Sequence, residues 1–159
     1  MTEFFDKYVT NPLVEQNVFR CRRGDDAPLP AFEDARDLLP SPDWPARPEA
    51  IQCYWKVWEL AFDHLRRPTP ENGFVSNYID TAFNDHLFLW DSAFILLFAR
   101  YGRRAFDFQR TLDNLYATQH PDGFICREIV EADGRDFFHR HDPNSTGPNV
   151  LGWCEWEYF

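Results

Sequence analysis

The chain reads Phe83-Asn84-Asp85-His86-Leu87-Phe88-Leu89-Trp90-Asp91-Ser92-Ala93-Phe94 at its centre, setting acidic and aromatic side chains at the mouth of a strongly apolar helix. That mixture suits a sugar. An aromatic face stacks on the apolar side of a pyranose while a carboxylate accepts two hydroxyl hydrogens, the usual combination of apolar wall and few polar anchors. Two other clusters invite chemistry and support it less. His139-Arg140-His141-Asp142 offers two imidazoles and a carboxylate without a third firm ligand at zinc-like spacing, so a solvated or hydrogen-bonded loop is the expectation and no metal is assigned. Glu155 and Glu157 flank Trp156 and point in different directions from one helix, which makes them surface charges or helix contacts rather than a catalytic pair.

The elements that must position these residues follow from periodicity. Residues 20–50 carry Pro28, Pro30, Pro40, Pro42, Pro45 and Pro48, which predicts an extended arm with at most a helical turn over 32–39. From Pro48 the pattern becomes helical, with Ile51, Trp55, Trp58 and Phe62 on one face. Pro68 and Pro70 stop that helix, and a polar stretch with Asn72-Gly73 as a turn leads to the acidic motif. A second helix, from Leu87 or Asp91 to Tyr101, is so apolar that both its sides should be covered by other helices. A third, over 104–118, has one wetter side, and the short connection makes the two an antiparallel pair. Phe124-Ile125-Cys126-Arg127-Glu128-Ile129, the turn Ala132-Asp133-Gly134 and Phe137-Phe138-His139 predict a small β-hairpin. A last helix begins at Pro148 and runs to Phe159.

Composition bounds the function. The 159 residues are 44% hydrophobic and 18% aromatic, enough for one packed domain. A formal net charge of -10 argues against a nucleic-acid surface, which draws its affinity from clustered Lys and Arg. Met1 to Thr10 lack the basic start and apolar run of a secretory signal, and acidic or basic residues interrupt every hydrophobic run, so the expectation is a cytoplasmic chain with no membrane contact. Cys21, Cys53, Cys126 and Cys154 form no C-x-x-C pair and are expected to be buried free thiols. No cofactor is implied.

Four blocks in order carry a family resemblance: Asn77-Tyr78-Ile79-Asp80-Thr81-Ala82-Phe83-Asn84-Asp85; Phe88-Leu89-Trp90-Asp91-Ser92-Ala93-Phe94; Gln119-His120-Pro121-Asp122-Gly123-Phe124-Ile125-Cys126-Arg127-Glu128; and Gly147-Pro148-Asn149 ahead of Trp153-Cys154-Glu155-Trp156-Glu157. Over residues 48–159 the chain resembles bacterial six-hairpin glycosidases, the mannosylglycerate-hydrolase-like and glycoside hydrolase family 63 enzymes related to trehalases. The resemblance implies an all-α fold, an (α/α)6 toroid of helical hairpins. Twelve helices of about 12 residues with loops of about 5 need roughly 200 residues. The expectation is therefore an incomplete toroid: a Pro-rich arm over 1–47, then the first part of the catalytic domain over 48–159, ending inside a helix.

The resemblance further implies inverting hydrolysis of an α-glycosidic bond, in which one carboxylic acid protonates the leaving oxygen and a second carboxylate activates water. The family's acid lies in a Gly- and Asn-containing loop after the next hairpin and its base near the barrel's end; neither motif occurs by Phe159, so no catalytic acid or base is assigned. What carries over is the sugar subsite, with an oligosaccharide or glycoside as the partner. Trp90 is its apolar wall, or a core residue; Asp91 is its hydroxyl acceptor, or a helix-terminal charge. Phe83 and Asp85 stand beside them, or form a buried ring and an Asx turn. Arg127 and Glu128 match the family's Gly-Phe-x-x-Arg-Glu strand, where only one can face inward, or they make a local salt bridge. Relatives carry a polar amide where this chain has Gly147, which bears on sugar specificity. A non-catalytic helical module binding carbohydrate or protein is the competing expectation. Apolar helix faces such as Ile95 to Phe98 would favour self-association.

Overall fold

A computed structural model describes residues 10–22, 24, 27–80 and 83–159; the Met1–Val9 stretch read for a targeting signal and the Thr81-Ala82 step of the acidic motif lie outside them. The elements run α1 (Phe32–Ala35), α2 (Pro48–Asp63), β1 (Leu65–Arg66), β2 (Tyr78–Ile79), β3 (His86–Phe88), α3 (Leu89–Ala99), α4 (Thr111–Ala117), β4 (Glu128–Val130) and α5 (Leu151–Tyr158), with short 3-10 turns between them. Helix dominates, but two antiparallel two-stranded ribbons, β1 with β2 and β3 with β4, are part of the architecture. The all-α class expected from the sequence therefore does not hold.

α2 forms where the sequence places it. Pro48 sits in the first turn, where its missing N–H costs nothing, and the aromatic stripe turns inward: Trp58 and Phe62 are buried and meet the Phe108 ring at 6.0 and 5.8 Å. The 100–102 turn comes close enough that a Cβ on Gly102 would lie 2.7 Å from the Trp58 ring, so only glycine lets the connection after α3 pass over that indole. The arm is not simply extended. It makes 3-10 turns at Val14–Gln16 and Val18–Cys21, Asn17 donates to the Tyr116 carbonyl at 2.9 Å, and Ala35 and Leu39 enter the same core as Trp58, Leu96 and Leu112.

The other expectations need correction. The third helix opens as a 3-10 turn, Phe108–Arg110, and is α-helical only over Thr111–Ala117. α3 is not covered on both sides: Leu89, Ala93, Leu96 and Ala99 are buried against α4 and α5, while Trp90 and Phe94 face outward. Within 95–98, Leu96 is fully buried and its neighbours partly so, and the open apolar surface lies instead at Trp90, Phe94, Trp153 and Trp156. β4 pairs mainly with β3, in the register Leu87↔Ile129, rather than with the nearby return segment, which contributes one bridge, Ile129↔Asp136. All four cysteines are free, but only Cys126 and Cys154 are buried; Cys21 and Cys53 are exposed. Burial pushes the Cys154 thiol up to about 11. Among the described residues, no helix is long and apolar enough to cross a membrane.

Candidate functional site

β3 delivers the chain directly into α3. Phe88 keeps an extended backbone and Leu89 N–H donates to the Arg127 carbonyl at 2.9 Å, so the first turn of α3 is anchored to the residue preceding β4. This geometry turns Trp90 and Asp91 out from the core. Trp90 is 51% exposed, and its indole stacks on Phe94 one turn on, with centroids 5.1 Å apart and planes 29° from parallel. Phe94 in turn meets Trp153 of α5 edge-on at 5.9 Å. The outcome is an aromatic strip crossing from α3 to α5, open to solvent on one side. Asp91 lies in the first helical turn, exposed, with no side-chain hydrogen bond or ion pair among the described residues. α3 has no side-chain cap, so Asp91 interacts with the helix only through the dipole.

The remaining sequence-derived residues lie around the β3–β4 ribbon. Phe83 is almost fully exposed, its ring 6.1 Å from that of Phe88. The Asp85 side chain is exposed, and its carbonyl accepts from Glu131 N–H at 3.0 Å. Arg127 and Glu128 are not paired with each other. The Arg127 guanidinium sits 4.5 Å over the Phe138 ring with its Nε buried and lacking an acceptor. Glu128 is buried, 2.6 Å from His86 Nδ1 across the β3–β4 ribbon. As the strand alternation requires, the two side chains separate, and the inward one is spent on holding the ribbon. Gly147 is packed as well as bare: a Cβ there would stand 3.0 Å from that of Arg127, so any side chain at this position would need Arg127 to move.

Among the other carboxylates, Glu155 accepts from Gln109 Nε2 at 2.8 Å and from the Tyr116 hydroxyl at 3.0 Å, and Glu157 is held by Arg100. Both are helix contacts. His139 and His141 bring their rings to 5.5 Å in an exposed loop; His139 lines an open groove of about 470 Å³ with His120, Asp136, Phe138 and Arg140. In it His120 Nε2 lies 2.8 Å from Asp136, while Arg140 is turned back on Asp122 at 3.0 Å.

Two features escaped the sequence reading. Phe94 and Trp153 complete the strip begun by Trp90; the i, i+4 spacing of Trp90 and Phe94 was the available signal. The second is Glu131, a turn residue by pattern, whose carboxyl is pushed up to about 6, first by burial and then by Asp80 beside it. No family model, curated protein or solved structure matches the chain.

Proposed function

We propose that this chain contributes the sugar-binding wall of a glycoside hydrolase of the six-hairpin type, acting on an α-glycosidic bond with inversion. No acid or base is assigned to residues of this chain. The observation that carries the reading is the open pairing of Trp90, backed by Phe94 and Trp153, with an exposed Asp91. Packing accounts for neither exposure, since a half-exposed indole forgoes part of the gain of burial, whereas a pyranose supplies an apolar face for the rings and hydroxyls for the carboxylate. The helical hairpin α3–α4 and the helix α5 behind the strip supply a rigid mount, and in the toroid reading they belong to adjoining hairpins.

A single such subsite is weak, with a Kd on the order of 1 mM or above. Titration with methyl α-glucoside and methyl α-mannoside, followed by tryptophan fluorescence and by NMR of the indole N–H groups, should shift Trp90 and Trp153. Trp90→Ala should reduce the affinity at least roughly tenfold, the loss of an aromatic platform contact. Saturation by sugar that leaves Trp90 unperturbed, or equal binding by the variant, ends this reading. The exposed Trp156 at the end of α5 extends the aromatic surface beyond one pyranose and favours, as a second reading, a non-catalytic module docking on a protein or a longer glycan.

A further inference from the structure

Both ribbons end at one place. β2 stops at Ile79 and hands the chain to Asp80, which is 6% exposed; β4 stops at Val130 and hands it to Glu131. Asp80 N–H donates to the His64 carbonyl just ahead of β1 at 3.0 Å, and Glu131 N–H donates to the Asp85 carbonyl just ahead of β3 at 3.0 Å. The two carboxyl groups thus follow directly on the ends of two ribbons, and Asp80 acts on Glu131 as a nearby like charge. Glu131 Oε1 is shut off from solvent with no hydrogen-bond partner. An ionised carboxylate only accepts, so a buried oxygen without a donor beside a second carboxyl is poorly tolerated as an anion. A single proton relieves both faults, because it converts an acceptor into a donor and removes one of two like charges.

The groups facing Glu131 are Tyr78 on β2, Asp80 after it, Arg66 on β1 and Asp85 before β3. The Tyr78 hydroxyl and Arg66 favour the ionised form; Asp80 and Asp85 oppose it, and burial opposes it most. We infer that the Glu131 carboxyl, its Oε1 buried without a donor and Asp80 nearby, holds a proton in the folded chain, making the junction of the two ribbons a pH-sensitive device. With the Glu131 carboxyl raised from 4.5 to about 6, the folded chain keeps a proton that the unfolded chain has already released. Stability falls as pH rises through that window and levels off above it.

Two measurements on the full chain test this. Side-chain carboxyl carbon shifts should show Glu131 titrating near pH 6. Urea unfolding one unit below and one unit above that midpoint should show the unfolding constant rising with pH, with a share of roughly tenfold from Glu131 once solvent screening of an incompletely buried carboxyl is allowed for. Asp113, raised by its own burial, adds a slope of the same sign, so the quantity to read is the difference between wild type and variant. Glu131→Gln should remove Glu131's share, since an amide does not titrate, and Asp80→Asn should reduce it without abolishing it, because burial of Glu131 remains. A Glu131 carboxyl titrating at its ordinary value, or a wild-type slope retained in whichever variants fold, overturns the proposal.

Discussion

The two ends of strand β3 treat their polar residues in opposite ways. At its start, the Asp85 carbonyl takes the Glu131 N–H, and the Glu131 carboxyl is drawn inward near Asp80, where the two repel each other. At its end, Phe88 turns the chain outward so that Trp90 and Asp91 face solvent. The three residues of β3 separate an arrangement that backbone pairing imposes from one left open to solvent. A polar group can be unusual because the fold traps it or because something outside completes it, and its burial separates the cases. Trapped groups should cost stability when changed, and open ones should cost ligand.

The largest effect is expected on the trapped side, in the loop that feeds β2. Asn114 is fully buried; its Oδ1 accepts from Val75 and Ser76 N–H at 2.8 and 3.0 Å, and its Nδ2 donates to the Ser76 carbonyl at 3.0 Å. Asn114→Ala leaves three buried backbone groups without a partner and should cost about 3 to 5 kcal/mol in chemical unfolding. A loss below about 1 kcal/mol would mean that water takes over these bonds and that the interior is less closed than it looks.

Next comes Glu128→Ala, which strands the His86 ring in the β3–β4 ribbon. The expected loss is about 2 kcal/mol, the cost of an unpartnered buried polar group, with no change in sugar titrations. A selective loss of sugar binding at unchanged stability would return Glu128 to the ligand site and blur the contrast.

The sequence made some of this legible. α2 could be read because a proline start and four aromatic or apolar residues at helical spacing agree. The start of α3 was readable only to within two residues, between Leu87 and Asp91, because a long apolar run without a proline or a capping side chain shows a helix but not where it begins. Strand β3 was not: three residues are too short to show a period of two, and its partner lies some forty positions on, so the nearer Phe137-Phe138-His139 looked like the mate of β4. The openness of α3 was hidden because hydrophobic content reports what a helix prefers to bury, whereas coverage depends on where α5 comes to rest. Glu131 could not stand out either, since its neighbours Asp80 and Asp85 are distant in sequence and converge only through two ribbon registers.

The smallest change in stability, and the sharpest test of the comparison, belongs to Asp91→Asn. Removing a negative charge from an exposed first turn gives up a dipole interaction of about 0.5 kcal/mol at low salt, and the side chain makes no hydrogen bond that the amide would break. The isosteric amide preserves shape, so Trp90 and Phe94 keep their stacking. What changes is the acceptor: a carboxylate can take two hydroxyl hydrogens as charge-assisted bonds, whereas the amide presents one neutral oxygen. If a sugar sits on the strip, its affinity should fall roughly tenfold or more, the equivalent of about 1.4 kcal/mol, while the unfolding midpoint hardly moves. If instead the midpoint drops and binding holds, Asp91 belongs with the trapped carboxyls at the other end of β3, and the outward-facing end loses its claim to be the site.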